Sequence, residues 1–124
     1  MSELQLTKCE LEVMDVVWRL GKATVQNVVD SLERPLAYTT VMTTLKILHE
    51  TRGVVRKEMH GRAYVYEATV SREEVSRSMA GELTNRLFGG SVKSLVLSLM
   101  DPDTISTAEI KELKEAIATL EGQG

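Results

Sequence analysis

Residues 38 to 46 read Tyr-Thr-Thr-Val-Met-Thr-Thr-Leu-Lys. Four hydroxyls, from Thr39, Thr40, Thr43 and Thr44, share this short segment with the amine of Lys46. A threonine hydroxyl donates to or accepts from a base edge or a phosphate, and its methyl can meet a thymine methyl. A lysine beside it neutralises phosphate. Threonine is a mediocre helix former because its β-branch restricts χ1, so several on one helix face ask for a reason. A second group follows at once. Between residues 46 and 62, Lys46, Arg52, Arg56, Lys57 and Arg62 are accompanied only by Glu50 and Glu58. Catalytic groupings are missing by contrast. The chain offers no Ser/His/Asp or Cys/His set that its sequence supports, no glycine-rich phosphate loop and no HExxH. The acidic pairs Glu73-Glu74 and Asp101/Asp103 read as helix-start and loop charges, and no enzyme is expected.

The remaining candidates are bland. Cys9 sits near a helix start, where a thiol pKa can fall, but a half-exposed cysteine without a redox role is the simpler reading. His49 and His60 have no partners at metal-ligand spacing, so neither a metal nor a cofactor is expected. The chain of 124 residues carries a net charge of -3, which taken alone would not suggest nucleic acid. That charge is uneven. Residues 1–70 hold nine basic and nine acidic side chains, and residues 71–124 hold six and nine. One cysteine excludes an intrachain disulfide. No apolar run approaches the roughly 20 residues that span a bilayer. Met1-Ser2-Glu3-Leu4 lacks the start of a signal peptide. A cytoplasmic, non-membrane protein is expected.

Local signals place the chemistry on elements. Three capping boxes, Thr7 to Glu10, Ser71 to Glu74 and Ser106 to Glu109, each precede a helical pattern. The first helix is predicted over about 8–20, with Leu11, Met14, Val17 and Trp18 inward and Gly21 as its stop. Thr24 caps a second helix bearing Val25, Val28, Val29 and Leu32. Pro35 separates it from the threonine helix, in which Val41, Leu45 and Leu48 mark the core face. Thr39, Thr40, Thr43 and Lys46 project away from that face, with Thr44 nearer the boundary. This helix is expected to end near Arg52, with Gly53 after it. "VVRKEM" and "AYVYEA" then alternate as strands around a turn at Gly61. Either Tyr64 and Tyr66 or the opposite face packs inward. From Ser71 the chain is helical again, broken at Gly89-Gly90 and at Asp101-Pro102.

Three helices and a hairpin give the order of a winged helix-turn-helix, whose third helix enters the DNA major groove. The expected fold is mainly α with a small β-hairpin wing. A DNA-binding domain over 1–70 is followed by a three-helix dimerisation domain over 71–124. Phe88, Val92, Leu95, Val96, Leu99, Ile110, Leu113, Ile117 and Leu120 exceed what such short helices can bury alone. A second copy is expected to cover them.

The segments "LTKCELEVMDVVW", "AYTTVMTTLKIL", "GVVRKEMHGRAYVYEATVSREE" and "GGSVKSLVLSLM" make the chain resemble the penicillinase repressor family of the BlaI/MecI type, from Leu6 to about Leu120. The resemblance implies a bacterial transcriptional repressor that binds, as a homodimer, a palindromic double-stranded DNA operator with TACA/TGTA-like half-sites. It implies DNA contacts from Tyr38, Thr39, Thr40, Thr43 and Lys46, and a wing contact at Arg62. Arg56 and Lys57 join them on charge alone. It also implies a sensor or antirepressor protease as partner, since well-known relatives are released by cleavage between an Asn and a Phe. Those positions are Ser98 and Leu99 here, so the release step departs from the family pattern. Copper-responsive relatives carry a C-terminal cysteine cluster, whereas this sequence ends "ATLEGQG". Two other readings remain open. One is a small-molecule-responsive winged-helix repressor. The other is a winged-helix protein-interaction module without DNA binding, which would have no need of the clustered cations.

Overall fold

In the computed structural model, residues 4–123 are described, and they contain six helices and a three-stranded sheet. The expectation about the N-terminal segment falls on Met1–Glu3, outside the described residues. The chain divides into two compact units, one through Glu82 and one from Leu83 onward.

The first unit opens with α1 (Lys8–Leu20), β1 (Lys22–Ala23), α2 (Val25–Ser31) and α3 (Tyr38–Glu50). Thr7 caps α1, as its sequence motif requires. Its hydroxyl accepts from the Glu10 N–H, and the Glu10 carboxylate accepts from the Thr7 N–H at 3.0 Å. Thr24 and Asn27 make the same reciprocal pair on α2. α3 closes at Glu50, with Gly53 at φ +68 in the turn beyond it. β2 (Val55–His60) and β3 (Ala63–Ala68) form the hairpin, joined by Gly61 and Arg62. Gly61 takes φ +64, the conformation a two-residue turn asks of its first central residue.

The hairpin has a third strand that the sequence did not suggest. β1 pairs antiparallel with β3, Lys22 opposite Glu67 and Ala23 opposite Tyr66, giving the order β1-β3-β2. Two residues are too short to show a period, so only the tertiary pairing reveals the strand.

The core gathers Val13, Met14, Val16 and Val17 of α1, Val28 of α2, and Val41, Leu45 and Leu48 of α3. Val54, Val55, Tyr66 and Val75 close it. Full burial of such a side chain contributes about 1.5–3 kcal/mol. Leu11 and Trp18, expected inward, are only partly buried and pack at the edge of this cluster, while Val13 and Val16 fill its centre. The Trp18 indole N–H donates to the Val70 carbonyl at 2.9 Å.

α4 (Arg72–Phe88) starts in the first unit and runs on into the second. Its cap is the expected one, with the Ser71 hydroxyl accepting from Glu74 N–H and the Glu74 carboxylate from Ser71 N–H. Arg72 lies 4.8 Å over the Trp18 ring and donates to Asp15 at 2.6 Å. Further along the helix, Gln5 donates to the carbonyl of Ser78. The second unit continues with α5 (Val92–Ser98), capped by Ser91, and α6 (Thr107–Gln123), capped by Ser106 with Glu109.

Candidate nucleic-acid interface

The threonine helix is anchored by one face and free along the other. Val41, Leu45 and Leu48 are fully buried. Thr44 joins them, with its hydroxyl donating to the Thr40 carbonyl at 2.8 Å. That bond satisfies a polar group inside the core, so Thr44 is a packing residue. Tyr38, Thr39, Thr40, Thr43 and Lys46 are all exposed. Thr39, Thr43 and Lys46 recur at four- and three-residue spacing along the line opposite the core. Met42 is also exposed beside them, a residue that a search for hydroxyls and charges does not find.

The N-terminus of α3 differs from its neighbours. The other five described helices carry a Ser or Thr cap, at Thr7, Thr24, Ser71, Ser91 and Ser106. The cap position of α3 is Ala37, which makes no side-chain cap bond. Its first-turn N–H groups are thus left to solvent or to an incoming anion, which the helix dipole favours.

Two ion pairs hold the segments flanking α3 against α1. Arg34, just before α3, grips Glu12 through two bonds of 2.7 and 2.9 Å. The bond from Arg34 holds the Glu12 carboxyl below its ordinary pKa. Arg52, just after α3, donates to buried Glu10 at 3.1 Å. Cys9 lies 3.6 Å from the Thr44 hydroxyl and is half-buried. α1 therefore fixes α3 at both ends and in the middle.

The basic stretch requires a correction. Within residues 46–62, Arg52 and Arg56 face only Glu50 and Glu58 by local charge count. The fold instead gives Arg52 to Glu10, and Arg56 to Glu67 at 2.7 Å. Both partners lie outside that window, so local counting cannot see them. The bond from Arg56 holds the Glu67 carboxyl below its usual range. Among the described residues, Lys46, Lys57 and Arg62 have no carboxylate partner, and they are the cations of this stretch left for a ligand.

Strand register separates Arg56 from Lys57. Lys57 pairs with Tyr66 and Met59 with Tyr64, on the face that buries Val55 and Tyr66 at its base. Arg56, Glu58 and His60 occupy the opposite face, where the His60 ring lies 2.6 Å from the Glu58 carboxylate. Burial pushes the Tyr66 hydroxyl pKa up, helped by the nearby Tyr64, Tyr38 and Glu50. Arg62 stands exposed at the tip of the turn.

The residues expected at a dimer interface lie in the second unit, with Phe88 at the end of α4. Phe88, Leu95 and Ile110 are partly covered, whereas Val92, Val96, Leu99, Leu113, Ile117 and Leu120 are exposed. Val96, Leu99, Met100, Ile105 and Leu113 line an apolar groove of about 300 Å³. Ser98 ends α5, its hydroxyl donating to the Leu95 carbonyl at 2.7 Å, and Leu99 is the exposed cap residue after it. Among the described residues, no cluster of three His, Cys, Asp or Glu side chains could hold a metal, and no helix is long and apolar enough to cross a membrane.

Known proteins are similar in sequence and, over the first part of the chain, in fold. The sequence model described as Penicillinase repressor matches residues 6–119. A penicillinase repressor of Bacillus licheniformis is 27% identical over 115 residues, covering 91% of this chain and 89% of its own. The methicillin resistance regulatory protein MecI of Mammaliicoccus sciuri is 22% identical over 115 residues, covering 91% and 93%. Among solved structures, the DNA-binding domain of the repressor BlaI aligns with a TM-score of 0.52 at 25% identity, over 59% of this chain and 90% of that domain. With its threonine helix exposed, its hairpin beside it and a match of this extent, the chain belongs to the penicillinase repressor family.

Proposed function

We infer that this chain is a cytoplasmic transcriptional repressor that binds double-stranded DNA as a homodimer. The observation that carries the reading is the division of α3 into a locked core face and a free face of Thr39, Thr43 and Lys46. Thr40 and Tyr38 flank that free face, and the uncapped N-terminus of α3 suits a phosphate. In this reading, residues 1–70 contact the DNA. α3 enters the major groove, and the wing places Lys57 and Arg62 on the backbone. Arg56 contributes less, since Glu67 already neutralises it.

Residues 71–124 associate with a second copy through the apolar side chains that the second unit leaves exposed. A two-fold dimer sets two recognition helices about 34 Å apart, one turn of DNA, and so requires a palindromic operator. TACA/TGTA-like half-sites are the expectation for this family. Repression is then exclusion of polymerase from the operator. Release by a protease would act at Ser98–Leu99, where Leu99 is accessible at the end of α5. The Ser-Leu pair differs from the family's Asn-Phe, so such a protease needs a different side-chain preference.

The deciding experiment is selection of duplexes from a randomised DNA library with the full-length protein as bait. Enrichment of a two-fold symmetric sequence is the expected result. A protein that retains no duplex over background at low salt would remove the repressor reading and leave the protein-interaction module.

A further inference from the structure

The two faces of the hairpin handle charge differently. On the outer face the polar groups satisfy one another, Arg56 pairing with Glu67 and the His60 ring hydrogen-bonding to the Glu58 carboxylate. On the face that continues from the core, Lys57 leans over the Tyr64 ring, 4.3 Å from its centroid, and has no carboxylate partner among the described residues. Opposite Tyr64 stands Met59. Both side chains extend past the core, with Met59 51% and Tyr64 42% exposed. Arg62 follows at the turn.

An exposed methionine paired with an exposed tyrosine is costly to hydrate and gains by being covered. The flanking charges indicate what covers it. Two unpaired cations beside an apolar pair suit a polyanion that also offers apolar surface. Duplex DNA does this at its minor groove, whose walls are deoxyribose and whose rims are phosphate. A hairpin next to a helix seated in the major groove meets the adjoining minor groove, where architectural proteins place apolar side chains.

We propose that Met59 and Tyr64 form a non-ionic DNA contact, packing on the sugar walls of the minor groove that flanks the half-site read by α3. Lys57 and Arg62 hold the phosphates on either side. The proposal rests on the repressor reading above and deepens it. The wing then contributes affinity that salt does not screen, and it responds to groove width. Flanks of A·T pairs, where the minor groove narrows, are favoured over G·C flanks.

The test uses full-length protein and the duplex enriched from the randomised library. The double variant Met59→Ala/Tyr64→Ala should bind about ten- to thirtyfold more weakly, as expected for losing two apolar contacts. Its dependence of affinity on salt should keep the wild-type slope, and its flank preference should disappear. Arg62→Ala should do the reverse, lowering the slope by about one while keeping the preference. Both replaced side chains project into solvent, and circular dichroism of the double variant checks that the hairpin persists. Tyr64→Lys provides a second route. It adds a cation, so overall affinity holds or rises with a steeper slope, yet the flank preference is still lost. Wild-type protein that binds the duplex while the double variant binds within twofold, or changes slope, overturns this proposal and leaves the repressor intact. Wild-type protein that selects no duplex overturns both.

Discussion

Both units of this chain present apolar residues at helical spacing, yet they cover them to different extents. In the first, α1, α2 and α3 converge with the sheet until Val13, Val17, Leu45 and Leu48 have no solvent contact. In the second, no hydrophobic side chain among the described residues is buried, and Leu120 remains 68% exposed. Periodicity identifies the apolar side of a helix and not what lies against it. The same pattern serves a closed core in one place and an open surface in the other. An open surface of this kind calls for a partner, which is the support for the dimer proposed above.

The open apolar surface of the second unit is disrupted most directly at α5. Leu95→Glu combined with Val96→Glu places charge where a second copy is proposed to pack. The variant should sediment as a monomer, and its affinity for the selected duplex should fall by about 10²–10⁴, because linkage of two sites is lost. The first unit should keep its thermal transition. A variant that stays dimeric would show that α5 is not the interface.

A sharper contrast comes from alanine at one position in each unit, in that monomeric background. Leu48→Ala empties part of a closed core and should cost about 2–5 kcal/mol in urea unfolding. Leu120→Ala removes a side chain already in water and should change stability by less than about 0.5 kcal/mol. Equal losses would mean that the second unit covers Leu120 in solution.

Within the first unit, adjacent threonines provide a finer version of the same test. Thr43 is exposed and Thr44 buried. Thr43→Ala should relax base preference at one operator position by about 1–3 kcal/mol and leave unfolding unchanged. Thr44→Ala should lower stability without selectively altering that position. Repeating the library selection with each variant compares them, and an unaltered consensus with Thr43→Ala makes its face merely solvated.

The smallest expected effect concerns the anchor of α4. The bond from Arg72 lowers the Asp15 carboxyl below its ordinary pKa of 3.8. A carboxyl depressed in the folded state contributes stability that is present above its ordinary pKa and is lost as pH falls through the lower folded value. The Arg72 and Asp15 side chains are 53% and 44% exposed, so the pair contributes at most about 1 kcal/mol. Asp15→Asn should remove that contribution at neutral pH and flatten the acid limb below about pH 4, the ordinary aspartate range. An acid limb identical to wild type would show that the pair adds nothing.

Much of this architecture was legible because the signals are local. A capping box spans four residues, so Thr7, Ser71 and Ser106 announced three helix starts without tertiary information. Gly61 marked the hairpin for the same reason. What was hidden depended on distance or register. Glu10 lies 42 residues from Arg52, and no window of charge joins them. β1 is two residues long and exists only through β3. The distinction between Arg56 and Lys57, adjacent in sequence and opposite in the sheet, required knowing which face met the core. Met59 carries no local signal, and only its pairing with Tyr64 and its exposure single it out.

The attachment of α4 has a consequence for how such genes are cut and rejoined. A recombination joint placed just after the hairpin would leave Asp15 without Arg72, Gln5 without Ser78, and the core without Val75. The first unit would arrive in its new host with an open flank. A joint after Glu82 carries those partners along and meets the boundary between the compact units. Natural chimaeras and engineered fusions that keep a working reader are therefore expected to carry the opening turns of α4 with it, so that the transferable module is longer than its wing would suggest.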